Sequence, residues 1–392
     1  MSNIHVVGLG VHPLDLPGEI SRKIAEARVL VGGQRLLDHF PGHPAVKVPI
    51  RSPLQETIER IREEILEERE VVVLSDGDPG FYGIGRRLLD AFGRDAVILY
   101  PNVTTLQAAT SRMKITWDDV QTVSLHGRED IRPLLRALVR GERVAVFTDP
   151  VFDPAKVADE LIRRGVDTFE MHVFENLGME GERIRSFPLS QAAATVFSPL
   201  AFVILERIRP PEIALSPGLD DELYLHQRGL ITKKEIRAVG LSLLNIHPRH
   251  TVWDMGAGCG SVAIEASITA YRGIVLAVER DPERVRLIRE NIRRTGAYSV
   301  EAVQGEMPAC LESLPDPDRI FIGGGAGHDN RILEAAAGRL KPDGKIVLHT
   351  VLLGSLSRAG DYLTSMKWPF SITQIQVSRT KEMAGNRRLE PL

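Results

Sequence analysis

The sequence predicts an α/β protein built on mainly parallel sheets, and three observations lead to that prediction. Short β-branched runs alternate with stretches of helical spacing, which is the pattern of repeated strand–helix–strand units. Glycine-rich segments follow several of these runs. Glycine is frequent, at 34 residues, whereas aromatic residues make up only 5%. Because 392 residues are too many for one ordinary domain, we expect two or three domains.

The first half of the chain begins with a predicted strand at residues 4–7, which runs directly into a glycine loop. A helix is predicted from residue 17, followed by a strand at 29–31. Residues 54–70 predict a helix, because their apolar residues recur near a period of about 3.6 with charges between them. The continuous apolar run at 71–74 predicts a strand buried on both faces. Further strands are predicted at 97–100, 143–147, 168–173, 195–197 and 202–205.

A domain boundary is predicted after Leu205, where two turn-rich segments, 207–212 and 216–221, interrupt the pattern. A new helix is predicted to start near Thr232 and to end near residue 244, since Glu235 stands at the spacing of a capping box. The remaining predicted elements are strands at 251–254, 274–278, 299–303, 319–322 and 345–350, helices from 262, 282 and 330, and an ending at 370–377.

The composition excludes several classes of protein. Lys and Arg number 49 and Asp and Glu 52, and the net charge of −3 argues against a general binder of nucleic acid or membrane surfaces. No apolar run approaches the roughly 20 residues of a membrane span, and no basic region precedes an apolar stretch at the N-terminus. Cys259 and Cys310 are too few for a disulfide framework or a cysteine-ligated metal site. We therefore expect a cytoplasmic protein without a metal.

The strongest motif is a glycine loop, VWDMGAGCGS, which follows a predicted strand and opens a helix. Its glycines, Gly256, Gly258 and Gly260, allow a tight turn and a close approach of the backbone to a ligand. Glu279 ends the next predicted strand, 25 residues after Asp254, where a carboxylate can accept both ribose hydroxyls of a nucleoside. The spacing differs from the dinucleotide fingerprint and suits an adenosine ligand that has no pyrophosphate.

This loop resembles the S-adenosylmethionine (SAM) site of Rossmann-like methyltransferases, and the later segment QGEM strengthens the resemblance. The resemblance implies that Asp254 and the three glycines belong to the SAM site together with Glu279. It also implies that Glu306 and Met307 flank the adenine and that Thr232 closes over the methionine end. A tight turn without a ligand is the alternative interpretation.

Two further segments indicate the type of methyltransferase. GLITKKEIR at 229–237 precedes the glycine loop, and IFIGGG at 320–325 stands where many methyltransferases carry Asp/Asn-Pro-Pro. Together they resemble the decarboxylating domain of the precorrin methyltransferases of the cobalamin pathway. The triple glycine at 323–325 would let the chain pass close to a large flat substrate, and a flexible surface loop is the alternative.

The first half of the chain resembles the tetrapyrrole methylase family, whose fold differs from the Rossmann type and holds SAM between two α/β lobes. The matching segments lie at 7–10 (VGLG), 75–85 (SDGDPGFYGIG), 101–105 (PNVTT), 107–109 (QAA), 123–128 (VSLHGR) and 175–178 (ENLG). The resemblance implies that SAM is contacted, or its cleft shaped, by Gly8, Gly10, Gly77, Asp78, Thr104, Thr105 and Gly178.

Two departures from the methylase pattern concern the first and third of these loops. Val11 and His12 precede Pro13, where the family often has proline directly after the glycine loop. Asn102 stands where the family commonly has glycine. Since asparagine tolerates the left-handed backbone conformation that glycine would supply, we expect the turn to survive.

The resemblances divide the chain into a two-lobed tetrapyrrole methylase domain at 1–206, split near residue 112, a linker at 207–228 and a Rossmann-like methyltransferase domain at 229–392. This order implies fused decarboxylating precorrin methyltransferases, which methylate carbons 5 and 15 of a reduced tetrapyrrole and remove the ring C acetate carboxyl as CO₂. We expect one SAM per domain and a homo-oligomer. A methylase of another tetrapyrrole, or one active domain paired with a non-catalytic SAM-binding module, are the alternatives. The charge balance disfavours a nucleic-acid methyltransferase.

The acetate and propionate groups of such a substrate are natural partners for arginine forks. Arg35, Arg112 and Arg128 lie beside the loops of the first domain and Arg331 beside those of the second, although a solvated surface position is the plainer interpretation for each. The candidate catalytic residues are Arg128, His328 and Asn330.

Overall fold

The computed structural model describes residues 3–12, 16–323 and 329–391. It confirms the predicted fold class, since helices flank three five-stranded sheets and a two-stranded hairpin lies near the C-terminus. The chain divides into two compact units. The first unit comprises Met1–Asp130, Gly141–Ala158 and Glu170–Glu206, and the second comprises Ile131–Arg140, Asp159–Phe169 and Arg207–Leu392.

The first sheet has the order β3-β2-β4-β1-β5, and all of its strands are parallel. Its strands are β1 (Ile4–Gly8), β2 (Val29–Gly32), β3 (Val46–Pro49), β4 (Val71–Ser75) and β5 (Val97–Tyr100). Its helices are α1 (Gly18–Glu26), α2 (Gln34–Leu37), α3 (Leu54–Leu66), α4 (Gly85–Phe92) and α5 (Thr105–Met113). Val7 and Leu74 pack into the core on one face, and Val6 and Val73 into the core on the other. Burial on both faces explains why β1 and β4 are continuous apolar runs.

The second sheet has the order β6-β7-β10-β8-β9 and is mixed, with β7 antiparallel to β10 and β8 antiparallel to β9. Its strands are β6 (Gln121–Ser124), β7 (Arg143–Phe147), β8 (Phe169–Glu175), β9 (Arg183–Pro188) and β10 (Ala201–Arg207), and its helices are α6 (Arg132–Arg140), α7 (Pro154–Arg163) and α8 (Leu189–Ala192). The predicted strand at 195–197 is wrong. Thr195 bonds back to the carbonyl of Gln191 beyond α8, and Val196 is 92% exposed, so the apolar run has no sheet to join.

The third sheet is parallel throughout and has the order β13-β12-β11-β14-β15. The strand order reverses between β11 and β14, and ligands of such sheets bind in the crevice outside the carboxyl ends at that point. The strands are β11 (Thr251–Met255), β12 (Ile274–Glu279), β13 (Val300–Gln304), β14 (Arg319–Ile322) and β15 (Lys345–Leu348). The helices are α9 (Lys234–Leu244), α10 (Ser261–Thr269), α11 (Pro282–Thr295), α12 (Arg331–Arg339) and α13 (Leu353–Ser365).

The C-terminal hairpin was not predicted from the sequence. Its strands, β16 (Ser378–Met383) and β17 (Asn386–Pro391), are joined by Ala384 and Gly385, both at positive φ as a two-residue hairpin turn requires. The predicted ending at 370–377 is not a regular element. Charged residues dominate the hairpin, so it gives no clear alternation of apolar and polar positions. Among the residues that the structure describes, no helix is long and apolar enough to cross a membrane.

The predicted capping box of Thr232 and Glu235 is wrong. Helix α9 begins at Lys234, shortly after the predicted start near Thr232, and its N-cap residue is Lys233, which makes no side-chain capping bond. The Glu235 carboxylate instead accepts hydrogen bonds of 2.9 and 2.7 Å from Arg379 of the hairpin. A long-range ion pair has therefore replaced the local bond that the spacing favours.

Arg237 on α9 is fully buried and lies at the centre of a polar network in the second unit. Its guanidinium donates to the carboxylates of Glu265, at 2.6 Å, and Asp221, at 3.2 Å, and to the carbonyl of Thr232, at 2.6 Å. The Tyr224 hydroxyl donates to Glu265 at 3.2 Å. These bonds tie the chain before α9 to α10, so much of the predicted linker at 207–228 is packed into the second unit.

We expect Arg237→Met to lower the free energy of unfolding by about 3–5 kcal/mol, because it leaves the buried Glu265 carboxylate without its cation. Urea denaturation followed by circular dichroism measures the change. The control is Arg286→Met, which removes an exposed ion pair with Glu283 at 3.2 Å and should cost less than about 1 kcal/mol. Equal losses in the two variants would contradict this account of the network.

Two candidate cofactor sites

The first candidate site lies at the carboxyl ends of β4, β1 and β5, which are neighbours in the first sheet. The Gly10 and Gly77 backbones exchange hydrogen bonds of 3.2 and 3.1 Å, so the loops after β1 and β4 touch. A Cβ atom at Gly8 would clash with the Gly77 carbonyl oxygen. Glycine is therefore required at position 8 for the two loops to approach each other.

Asp78 and Asn102 connect the loops of this site. The Asp78 carboxylate accepts the Gly80 N–H at 2.7 Å and the Asn102 N–H at 3.3 Å. The Asn102 side chain donates to the Gly8 carbonyl at 2.9 Å. Asn102 does not use the left-handed conformation that asparagine tolerates, since its φ is not positive. The residue preserves the turn through its amide side chain, which reaches across to the first glycine loop.

Thr104 and Thr105 place the start of α5 beside Gly77. A Cβ atom at Gly77 would lie 3.5 Å from the Thr104 Cα and 3.7 Å from the Thr105 nitrogen. Thr104 is the N-cap residue and forms a complete capping box with Gln107. The first turn of a helix carries N–H groups without helical partners, which favours a negatively charged group of a ligand there.

Gly178 is the last of the predicted SAM residues of the first unit. Its φ is 76°, and a Cβ atom there would lie 2.6 Å from the carbonyl oxygen of Val11, just after the first glycine loop. The Gly178 N–H donates to Glu182 at 2.7 Å, and Glu182 accepts from Arg112 at 2.9 Å. The pKa of Glu182 is lowered chiefly by its hydrogen bond to Arg112. The first unit thus brings together all seven of its predicted SAM residues.

The arginines predicted as substrate clamps mostly have carboxylate partners within the chain. Arg35 pairs with Asp76, and Arg112 pairs with Glu182. Arg331 of the second unit pairs with Asp329 at 2.7 Å. Arg128, by contrast, is exposed and follows the loop at the end of β6. Of the four, Arg128 is best placed to meet a substrate carboxylate.

The second candidate site lies at the carboxyl end of β11, next to the reversal of strand order. Gly256, Gly258 and Gly260 have φ values of 71°, 59° and 82°, which glycine adopts without strain. Gly260 is the N-cap residue of α10, and a Cβ atom there would lie 3.0 Å from Ile288. The carbonyl of Leu230 lies beside Gly258, so the segment that leads to Thr232 borders the loop.

Two buried carboxylates hold the second loop. Asp254 is 1% exposed and accepts the Ala263 N–H of α10 at 3.0 Å, so it supports the start of the helix. Burial raises the pKa of Asp254 to about 7, and the charge of Glu279 adds to the increase. Glu279 accepts the Gly258 N–H at 3.0 Å and the N–H groups of Arg280 and Asp281 at 3.0 and 3.1 Å.

Glu306 and Met307 lie beside Glu279, since the Gly305 N–H donates to the Glu279 carbonyl at 3.1 Å. Glu306 is exposed and pairs with Arg280 at 3.5 Å, and Met307 packs on the apolar core beside β13. The predicted adenine-flanking residues therefore follow the end of β13, next to Glu279 at the end of β12.

The predicted catalytic residues of the second unit are only partly described. The Gly323 N–H donates to the Met255 carbonyl at 3.1 Å, so the triple glycine begins beside the glycine loop that follows β11. Asn330 is the N-cap residue of α12 and donates to the Arg358 carbonyl at 3.5 Å. His328 lies outside the described residues.

The sequence analysis missed His349, which directly follows β15 in the second unit. Its ring packs edge-on against Phe321, with centroids 4.5 Å apart, and contacts the position of Gly240 on α9. Burial lowers the pKa of His349, which favours the neutral imidazole. The position of His349 directly after a predicted parallel strand could have indicated it, because ligands of such sheets bind at the carboxyl ends of the strands.

Comparison with known proteins decides the family. A family model described as tetrapyrrole (corrin/porphyrin) methylases matches residues 3–193, and one described as the precorrin methyltransferase domain matches residues 222–392. The chain is 32% identical to the precorrin-6Y C(5,15)-methyltransferase [decarboxylating] of Sinorhizobium sp., over 98% of this chain and 93% of that protein. The chain belongs to this family. Its members are decarboxylating, SAM-dependent C-methyltransferases, so the predicted family and enzyme class are confirmed.

Shorter relatives of the family match parts of the chain. The probable cobalt-precorrin-6B C(15)-methyltransferase (decarboxylating) of Pyrobaculum calidifontis is 38% identical over 42% of this chain and 85% of its own length. A crystal structure named precorrin-6y C5,15-methyltransferase from Geobacter metallireducens covers 45% of this chain and 93% of its own, with 38% identity and a TM-score of 0.43.

We expect Asp254→Asn to flatten the pH dependence of stability. The folded-state pKa of about 7 lies above the usual 3.8, so the stability due to the protonated group is complete below pH 4 and is lost as the pH rises to 7. This difference corresponds to at most about 4 kcal/mol. Asparagine keeps an oxygen to accept the Ala263 N–H.

Denaturant unfolding at several pH values measures this effect, and Asp361→Asn, an exposed carboxylate on α13, is the control. If the Asp254→Asn profile followed the wild-type profile between pH 4 and 7, Asp254 would not be the titrating group.

Proposed function

We propose that this chain methylates a precorrin-6-type reduced tetrapyrrole at carbons 5 and 15 and removes the ring C acetate carboxyl as CO₂. The product would be a precorrin-8-type intermediate of cobalamin biosynthesis. The observation that carries the proposal is the presence of two separate glycine cradles, one at the carboxyl edge of a parallel sheet in each unit. Membership of the precorrin-6Y C(5,15)-methyltransferase family supports the substrate class.

Both cradles fit SAM, and we propose one molecule in each. In the first, Gly8 and Gly178 leave no space for a Cβ atom, so the loops that form the cleft approach each other closely there. In the second, left-handed glycines surround the Gly258 N–H, and Glu279 supplies the carboxylate that suits a ribose diol. When bound, SAM supplies an electrophilic methyl group.

The residues of the chain align the reactants. A meso carbon of a reduced tetrapyrrole is enamine-like and attacks a sulfonium methyl directly, so methylation depends on orientation and on exclusion of water. The bonds of Asp78 and Glu182 to backbone N–H groups hold the first cradle in shape, and those of Asp254 and Glu279 hold the second. Rigid loops of this kind provide the alignment that the reaction requires.

We assign carbon 5 to the first unit and carbon 15 with decarboxylation to the second. The precorrin methyltransferase domain at 222–392 supports this division. So do the relatives named C(15)-methyltransferase (decarboxylating), which match 42 to 45% of the chain. Decarboxylation needs an electron sink, which a protonated macrocycle supplies. His328 and Asn330 are proposed to position the departing carboxylate, and Arg128 to bind substrate in the first unit. A homo-oligomer in the cytoplasm stays a prediction.

Calorimetric titration with S-adenosylhomocysteine should show two sites per chain. Glu279→Ala should leave one site, because it removes both the ribose acceptor and the partner of the Gly258 N–H. Gly178→Ala should leave the other, because its Cβ would crowd Val11. The control is Glu283→Ala, an exposed position on α11. A single site in the wild-type protein would contradict one SAM per unit.

Product masses should separate the two activities. With a precorrin-6-type substrate and SAM, Glu279→Ala should yield a product that has gained one methyl group and kept the ring C acetate carboxyl. Asp78→Ala, which frees the Gly80 and Asn102 N–H groups, should yield one methyl gained and one CO₂ lost. Asp90→Ala on α4 is the exposed control. Loss of both activities in either variant would argue against two independent sites.

A further inference from the structure

Tyr82 has an unusual backbone conformation beside the first candidate cofactor site. It lies in the loop between β4 and α4 with a φ of 56°, in the left-handed region that bulky side chains rarely adopt. The residue is 54% exposed, so burial of its ring does not explain the conformation. Backbone strain of this kind persists where the surrounding structure enforces it, and it is concentrated at functional sites.

Three contacts fix the Tyr82 side chain. Its hydroxyl donates to the carbonyl of Thr122 in β6 at 2.8 Å. The ring packs edge-on against Phe81, at 5.1 Å between centroids, and lies tilted against Phe147, at 5.4 Å. An aromatic ring that is held at its tip and flank, and is still half exposed, presents a rigid apolar surface to solvent.

The loop after β6 carries a cation, Arg128. The Asp149 carboxylate accepts the N–H groups of Gly127, Val151 and Phe152 at 2.7, 2.9 and 2.8 Å, which fixes the loop from Leu125 to Arg128. Three backbone donors lower the pKa of Asp149 even though burial opposes them. The loop is thus held by an ionised carboxylate.

Arg128 lies in the loop just beyond β6, the strand whose Thr122 carbonyl accepts the Tyr82 hydroxyl bond. Burial raises the pKa of Tyr82, and the positive charge of Arg128 partly offsets the increase. Arg128 and Arg112 are both exposed, but the guanidinium of Arg112 is engaged by Glu182. The loop that carries Tyr82 also carries Asp78, which joins the first cradle through Asn102. An open aromatic face and an exposed guanidinium therefore border the cofactor site.

We propose that Tyr82 and Arg128 form the tetrapyrrole subsite of the first unit. The open face of the Tyr82 ring packs on the flat macrocycle, and Arg128 binds one of its peripheral carboxylates. Stacking restricts the plane of the macrocycle, and the ion pair restricts its rotation within that plane, so the two contacts together select the carbon that meets the methyl group. This inference rests on the proposed function and adds the residues that orient the substrate.

The test compares Tyr82→Leu with Tyr82→Phe in the full chain. Methylation at carbon 5 is measured by mass spectrometry at varied concentrations of a precorrin-6-type tetrapyrrole, and affinity for S-adenosylhomocysteine by calorimetry. Tyr82→Leu should raise the KM for the tetrapyrrole about 10-fold, because it removes the aromatic face. It should leave the S-adenosylhomocysteine Kd within about twofold, whereas a ring that stacks on adenine would weaken that affinity instead.

Tyr82→Phe separates substrate binding from a purely structural role. It keeps the ring and removes only the hydroxyl bond to Thr122, so the KM for the tetrapyrrole should stay within about threefold of the wild-type value. If Tyr82 served only to tie the loop to β6, Tyr82→Phe would be as impaired as Tyr82→Leu, and the proposal would be overturned. Trp117→Leu, which removes another exposed aromatic residue of the first unit, is the matched control and should change neither constant.

Arg128→Gln tests the ionic contact. It should raise the KM for the tetrapyrrole about 10-fold and weaken the dependence of that KM on salt. The control is Arg86→Gln, an exposed arginine on α4. An unchanged KM in both Tyr82→Leu and Arg128→Gln, with normal methylation of carbon 5 by the wild-type protein, would refute the subsite and leave the proposed function standing. Absence of methylation in the wild-type protein would refute the proposed function itself.

Discussion

Close approach of one backbone segment to another, at the carboxyl edges of parallel sheets, is the constraint on which both candidate cofactor sites depend. In the first unit, the Gly77 carbonyl occupies the space that a side chain at Gly8 would need, and Gly178 meets Val11 in the same way. In the second unit, three glycines in the left-handed region turn the chain directly after β11. These close approaches hold the loops together at the sheet edges where we propose that the cofactor binds.

Carboxylates that accept backbone N–H groups maintain these geometries. Asp78, Glu182 and Asp149 each bind N–H groups of loops in the first unit, and Glu279 does so in the second. An ionised carboxylate is well suited to this task, because several donors stabilise its charge. Asp254 accepts one N–H group of α10, and its complete burial raises its pKa to about 7.

The chemistry of the family explains why rigidity is distributed in this way. Methylation of an electron-rich ring carbon depends more on orientation of the reactants and exclusion of water than on a strong base. Fixed loops, a strained tyrosine and an exposed arginine are suited to that requirement. The exposed surface of Tyr82 is then an orienting contact, and its backbone strain is the cost of directing the ring outward.

Local sequence determined most strands, the glycine loops and the family, because side-chain spacing and glycine positions act over a few residues. It could not determine which polar groups meet across the fold. The predicted cap at Thr232 does not form, and Glu235 instead pairs with Arg379, 144 residues away. Asn102 stabilises its turn through a bond to Gly8, 94 residues away, without a left-handed backbone. Tertiary structure decided these outcomes, since a side chain bonds to whichever partner the packed chain brings within reach, and sequence spacing alone does not specify that partner.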